Sequence, residues 1–100
     1  MPRPLIVGNW KMNGASQANI QLLKSIIVQS ENKNTLPMAV CVPFIYIQQV
    51  SALLADTDIA VGSQDISPHL SGAYTGEISA SMLNDFHCTY AIVRHSERRQ

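Results

Sequence analysis

Apolar and polar positions fall into blocks that read as strand, then helix, four strands in all. Leu5-Ile6-Val7, extended by Gly8 and Asn9, is a short apolar run and reads as a first buried strand. Ser16 offers an amino-terminal cap. Ile20, Leu23 and Ile27 follow at i, i+3 and i+7, with Leu22 and Ile26 alongside, so one apolar stripe runs along a helix of about four turns. The polar run Ser30 to Asn34 ends it, and Pro37 forbids its continuation. Met38 to Val42 is a second strand closed by Pro43. Ile47, Val50 and Leu54, with Leu53 beside them, mark a second helix, and Asp56-Thr57-Asp58 a turn. Ile59 to Gly62 is a third strand. The polar stretch from Gln64 to Glu77, with Pro68, Gly72 and Gly76, is too long for a routine connection and is either functional or disordered. Ser79 caps a short third helix, Ile78 and Leu83 form a hydrophobic staple across its start, and Met82, Leu83 and Phe86 make its apolar face. Thr89 to Val93 is the fourth strand.

Strands that are continuous apolar runs, separated by helices, predict an α/β fold with a parallel sheet covered on both faces. Four such strands could form a small open sheet or one half of an eight-stranded barrel, and periodicity alone allows either. In parallel α/β folds ligands bind just beyond the carboxyl ends of the strands. Two polar clusters occupy such places. Gly8-Asn9-Trp10-Lys11-Met12-Asn13 follows the first strand, and His95-Ser96-Glu97-Arg98 follows the fourth. An amide, an ammonium, an imidazole and a carboxylate together suit the stabilisation of negative charge on oxygen and the movement of protons.

Composition narrows the partners. One hundred residues allow a single small domain, and 46% hydrophobic against 14% charged residues makes it globular. Seven basic and seven acidic side chains cancel, which argues against nucleic acid or an anionic membrane as the main partner. Arg94, Arg98 and Arg99 form the one basic cluster, with Glu97 inside it; on its own it reads as a solvated loop end. Cys41 and Cys88 adjoin apolar runs and read as reduced core thiols, and the absence of any CxxC pattern leaves a zinc site without support. The apolar run after Arg3 is too short for a signal-peptide core. The longest apolar stretch, Met38 to Ile47, is broken by Pro43 and falls short of the about 20 residues a membrane span needs. A soluble, cytoplasmic protein is expected.

Each candidate has a plainer reading. A lysine in a loop is ordinarily solvated, an asparagine at a strand end ordinarily caps a turn, and a lone histidine is ordinarily a core or surface residue, as His69 and His87 are expected to be. His95-Ser96-Glu97 is also similar to the His-x-Glu of zinc deaminases, but that chemistry needs a downstream Pro-Cys-x-x-Cys, which the sequence lacks. Gly8 to Gly14 has neither the Walker nor the dinucleotide glycine spacing.

Taken together, Gly8-Asn9-Trp10-Lys11-Met12-Asn13-Gly14, Gly72-Ala73-Tyr74-Thr75-Gly76-Glu77 and His95-Ser96-Glu97-Arg98-Arg99 closely resemble the triosephosphate isomerase family, in its order and spacing. The resemblance implies a TIM (β/α)8 barrel, for which about 250 residues is typical. Residues 1–100 would then be the amino-terminal part of one barrel domain, about its first half, with strands one to four and their loops. A half barrel would expose two strand edges and an apolar face. The family's catalytic glutamate, mobile lid and glycine-rich phosphate loops would lie beyond these residues.

The resemblance further implies an aldose–ketose isomerase interconverting dihydroxyacetone phosphate and glyceraldehyde 3-phosphate in glycolysis and gluconeogenesis, through an enediol and without metal or organic cofactor. Lys11 would set positive charge beside the phosphate and the enediolate, and Asn9 would donate to the substrate oxygen. His95 would polarise the carbonyl as a neutral imidazole; the family is a familiar case of a histidine held neutral by a helix amino-terminus. Glu97 would border Lys11 and help position groups or relay protons, or else pair with nearby arginines. Ser96 would contact the catalytic glutamate. Tyr74, Thr75 and Glu77 would dock into a second subunit of a homodimer, with Glu77 pairing with Arg98 across the interface. Two other classes remain open: a half-barrel assembly module that needs a complementary chain, and a non-catalytic protein that binds phosphorylated ligands.

Overall fold

The computed structural model describes residues 5–31 and 36–92. Four parallel strands form one sheet in the order β1 (Ile6–Asn9), β2 (Met38–Val42), β3 (Ala60–Ser63), β4 (Tyr90–Ala91). Helices α1 (Ser16–Ser30), α2 (Ile47–Leu53) and α3 (Ala80–Asp85) connect them, and a 3-10 turn, Phe44–Tyr46, leads into α2. Each strand lies beside its predecessor, the simplest order for repeated right-handed βαβ crossovers. Of the predicted fourth strand, Val93 lies outside the described residues. So do His95, Ser96, Glu97 and Arg98.

The register sorts side chains between two faces. Val40 stands opposite Val61, and Val42 opposite Ser63. Both valines and Val61 pack with Leu23 of α1, with Ile47 and Val50 of α2, and with Leu54, Ile59 and Leu83. This is the helix-covered side, and the predicted stripe Ile47, Val50 and Leu54 is buried in it. Val7 pairs with Ala39, Asn9 with Cys41, and Gly62 lies between Cys41 and Tyr90. These residues share the opposite face. It is lined by small side chains, and close approach is the reason: a Cβ on Gly62 would lie 2.6 Å from the Cys41 sulfur and 3.0 Å from the Tyr90 carbonyl oxygen. Val7 and Tyr90, nearer the two edges, are 48% and 44% exposed. Ala39 and Cys41 at the centre of this face are buried, so of the exposed apolar face expected of a partial barrel only the margins are open.

Several expectations need correction. The cap of α1 is Ala15, in extended conformation and without a side-chain cap bond, rather than Ser16. The Ala15 N–H is taken instead by Asn19 Oδ1 at 3.2 Å. The buried face of α1 accordingly centres on Asn19 and Leu23, and Leu22 is left half-exposed. On α3 only Leu83 is buried; Met82 and Phe86 are half-exposed, because a helix of six residues has room for one turn of contact with the core. Strand β3 begins one residue later than predicted, since the Ile59 N–H is bound to Thr57 Oγ1 at 3.1 Å in the preceding turn. The Ser79 cap is present, its Oγ accepting from the Met82 N–H at 3.3 Å, and Ile78 packs against the core that holds Leu83, as the staple requires. His87 takes a left-handed conformation (φ 60°) just past the end of α3, the ordinary way for a helix to stop.

Candidate active site

The carboxyl ends of β1, β2 and β3 meet around one short stretch of chain, Asn9-Trp10-Lys11. Sequence alternation puts Asn9 on the face opposite the helices, at the strand's last position. Its Oδ1 accepts from the Lys11 N–H at 2.9 Å, an Asx-type turn. That bond fixes which end of the amide is which, and leaves Nδ2 as the donor end. The Trp10 N–H donates to the Cys41 carbonyl at 3.0 Å, and Asn13 Nδ2 donates to the Trp10 carbonyl at 2.9 Å.

Lys11 has φ 54°, a left-handed backbone that costs a side-chain-bearing residue on the order of 1–3 kcal/mol. The neighbouring bonds determine it. Its N–H is held by Asn9, and its carbonyl accepts from Gln64 Nε2 at 2.6 Å. With both flanking peptides bound, the chain turns sharply out of β1 and delivers the exposed Lys11 side chain at the strand end.

Gln64 is the residue that sequence reasoning passed over, treating it only as the start of a polar loop. Its Nε2 lies 2.6 Å from the Lys11 carbonyl oxygen, 3.3 Å from the Cys41 carbonyl oxygen and 3.5 Å from Asn9 Oδ1. One amide thereby ties together the ends of three strands. The signal that selected Asn9, a polar residue directly after a buried strand, applies equally to Gln64 after Val61, Gly62 and Ser63.

The remaining predicted residues fall into two groups. Tyr74, Thr75 and Glu77 sit in the β3–α3 loop, away from the hydrogen bonds around Lys11. There the Tyr74 N–H donates to the Gly72 carbonyl at 2.9 Å and the Glu77 N–H to the Tyr74 carbonyl at 3.0 Å. The Tyr74 ring lies face to face with His69, centroids 3.8 Å apart and planes within 2°. Thr75 and Glu77 are exposed. His95, Glu97, Ser96 and Arg98 lie outside the described residues.

The arrangement around Asn9 and Lys11 offers an amide donor and a cation beside the carboxyl ends of parallel strands, where an anionic oxygen would be stabilised. The sequence model of the triosephosphate isomerase family matches residues 4–100. The chain belongs to that family. It is 54% identical over 99 residues to the triosephosphate isomerase of Herminiimonas arsenicoxydans, covering 99% of this chain and 40% of that protein. It is 51% identical over 98 residues to that of Coxiella burnetii (strain Dugway 5J108-111), covering 98% and 38% respectively. The solved structure of triosephosphate isomerase from Bartonella henselae superposes with a TM-score of 0.89 at 34% identity, covering 99% of this chain and 40% of that one. The chain thus spans about two fifths of the length of the family members it matches, and its four parallel strands form one sheet of the family's barrel.

The two cysteines of this family member take no part in the hydrogen bonding around Lys11 through their thiols. Cys41 is buried and Cys88 half-buried, and both are free thiols. Burial raises the Cys41 pKa; burial, with a smaller contribution from Cys41, pushes Cys88 to about 11. Both therefore stay protonated and weakly nucleophilic near neutral pH. No helix among the described residues is long and apolar enough to cross a membrane.

Proposed function

We propose that residues 1–100 form the amino-terminal part of a single barrel domain and supply the electrophilic side of a triosephosphate isomerase site, in a cytoplasmic homodimeric enzyme of glycolysis and gluconeogenesis. The observation that carries this reading is the bound, left-handed Lys11 at the end of β1, with Asn9 oriented beside it. Fixing a backbone in a costly conformation to aim one ammonium is poorly accounted for by a solvated loop lysine. It suits a group that must be in place before charge develops.

In the reaction a carboxylate base removes a proton α to the substrate carbonyl. The electron pair moves onto the carbonyl oxygen and gives an enediolate. Lys11 and the Asn9 Nδ2 donor stabilise that oxygen and the neighbouring phosphate. His95 supplies and withdraws the proton that passes between the two oxygens, and Glu97 sets the position of Lys11. Returning the proton to the adjacent carbon completes the isomerisation. The base itself would come from the three fifths of the family's length that this chain does not match, with Ser96 as its contact. Tyr74, Thr75, Glu77 and Arg98 would meet the second subunit. Neither an assembly module nor a non-catalytic binding protein is favoured, because the named family members are isomerases over the full length of the match.

The test is glyceraldehyde 3-phosphate isomerisation by a chimera in which this chain replaces the matching 99 residues of the Herminiimonas arsenicoxydans enzyme. The chimera should turn over substrate, and Lys11→Met should lower kcat by about a thousandfold, the scale of losing one preorganised charge donor. A fully active Lys11→Met chimera would remove the reading.

A further inference from the structure

The loop that carries Lys11 is held at its far end by side chains that the proposed chemistry does not use. Asn19 is only 2% exposed, a polar side chain on the buried face of α1 that also carries Leu23. Its Oδ1 accepts from the Ala15 N–H at 3.2 Å, and its Nδ2 donates to Gln49 Oε1 on α2 at 2.8 Å. Gln49 Nε2 in turn donates to the Ser16 carbonyl at 2.9 Å. Tyr46, in the turn before α2, donates its hydroxyl to the Gly14 carbonyl at 3.2 Å. Three consecutive residues of the loop end, Gly14, Ala15 and Ser16, are each gripped by one member of this set.

A pair of amides does something that a pair of apolar side chains of the same size would not. Its donors and acceptors have fixed ends, so it is satisfied in one register only. A shift of α1 along α2 would separate the buried Asn19 amide from Gln49, its partner on α2, and leave Asn19 Nδ2 without an acceptor. The two amides and the tyrosine hydroxyl therefore fix where the loop ends relative to α2. Gln64 fixes where it begins, at the Lys11 carbonyl. Between these two anchors the chain cannot slide, and Lys11 keeps its left-handed backbone.

We infer that Asn19, Gln49 and Tyr46 are positioning residues for Lys11, acting through the Gly14-to-Ser16 backbone and not through contact with substrate. The inference rests on the isomerase reading for its kinetic consequence, but its structural content is independent of it.

The experiment uses the same chimera with Gln49→Met, which keeps side-chain volume and removes both amide bonds. Gln49→Glu serves as a second variant; it keeps the shape and the acceptor for Asn19 but loses the donor to Ser16. Two readouts are taken. The first is kcat and KM for glyceraldehyde 3-phosphate. Both variants should lower kcat by about ten- to a hundredfold, as a misplacement near 1 Å would, with KM changing much less. The second is amide hydrogen exchange at Lys11 compared with Val40 in β2. Exchange at Lys11 should rise by about tenfold while Val40 is unchanged, since only the loop is released. Loss of melting temperature with wild-type kcat and wild-type Lys11 exchange would make the amides merely structural and overturn the inference. If the unmodified chimera is inactive, the isomerase reading fails on its own; unchanged exchange at Lys11 in the variants would then still overturn the brace, and faster exchange would uphold it.

Discussion

Two of the connections that leave the carboxyl side of the sheet, those after β1 and β3, are held in opposite ways. The loop after β1 is short and is bound almost wholly by other elements. Cys41 takes its first N–H, Gln64 its lysine carbonyl, and Tyr46 and Gln49 its end. The loop after β3 is long and is bound mainly to itself. Ser63 Oγ donates to the Asp65 carbonyl, the His69 N–H to Ser67 Oγ, the Ser67 N–H to the Ile78 carbonyl across its base, and His69 stacks on Tyr74 near its tip. It also turns apolar surface outward, with Leu70 81% exposed. A loop that aims one charge at a small substrate gains from being fixed by its surroundings. A loop proposed to dock on a second chain gains from carrying its own shape with it, because less ordering is then left to do on binding.

The sharpest way to break this contrast is at glycine. Gly14 has φ 139°, and a Cβ there would lie 2.8 Å from Tyr46 Cε2 and 3.1 Å from Asn19 Oδ1. Gly14→Val in the chimera should therefore combine backbone strain with overpacking and cost about 3 kcal/mol or more. Gly72 in the other loop also has a positive φ, 124°, but its Cβ would meet only the Tyr74 ring, at 3.1 Å. Gly72→Val should cost about 1 kcal/mol, since the ring can move with its own loop. Urea midpoints of the two variants measure the difference. Equal losses would mean that the first loop is no more tightly enclosed than the second.

How far the sequence revealed this follows from the range of the interactions. Strand β2 and the buried stripe Ile47, Val50 and Leu54 were legible because period and composition are local signals. The Ser79 cap was legible because its partner Met82 is one turn away. The cap of α1 was not, because a buried amide replaces it, and the partner of that amide, Gln49, lies on another helix. Met82 and Phe86 continue the right periodicity, but α3 is too short to bring them to the core. At the site, Asn9 and Lys11 were marked by their place after a strand, and the structure adds how they are held. Gln64 occupied the same kind of place and was passed over, because its meaning lies in carbonyls on β2 and in the β1 loop that no spacing reveals.

Gln64 sharpens the comparison from within, since by sequence it opens the second loop and by contact it belongs to the first. Gln64→Leu removes the donor shared by the Lys11 and Cys41 carbonyls. One lost hydrogen bond of this kind, at about 1.4 kcal/mol, corresponds to about a tenfold fall in kcat. Gln64→Glu should do more harm, because a carboxylate would then face three oxygens. Steady-state kinetics on both, set beside circular dichroism of the β3–α3 loop variants, separates the two loops. If Gln64→Leu left kcat untouched, the anchor at the lysine carbonyl would carry no functional weight.

The smallest effect is expected at the tip of the second loop. The His69–Tyr74 stack is a face-to-face contact between two exposed residues, and aromatic pairs contribute about 0.5–1.5 kcal/mol beyond their area. Because the loop is bound to itself, losing the stack should loosen the tip and leave the loop around Lys11 as it is. His69→Ala in the chimera should make proteolytic cleavage between Gln64 and Ser79 about three- to tenfold faster, in line with that energy. His69→Phe should restore the resistance, since a ring of similar size can take the same place. Neither variant should alter kcat or the melting temperature. That null result is the informative one: a fall in kcat from His69→Ala would show that the tip of the second loop reaches the lysine after all, and the division between a loop fixed from outside and a loop fixed from within would have to be abandoned.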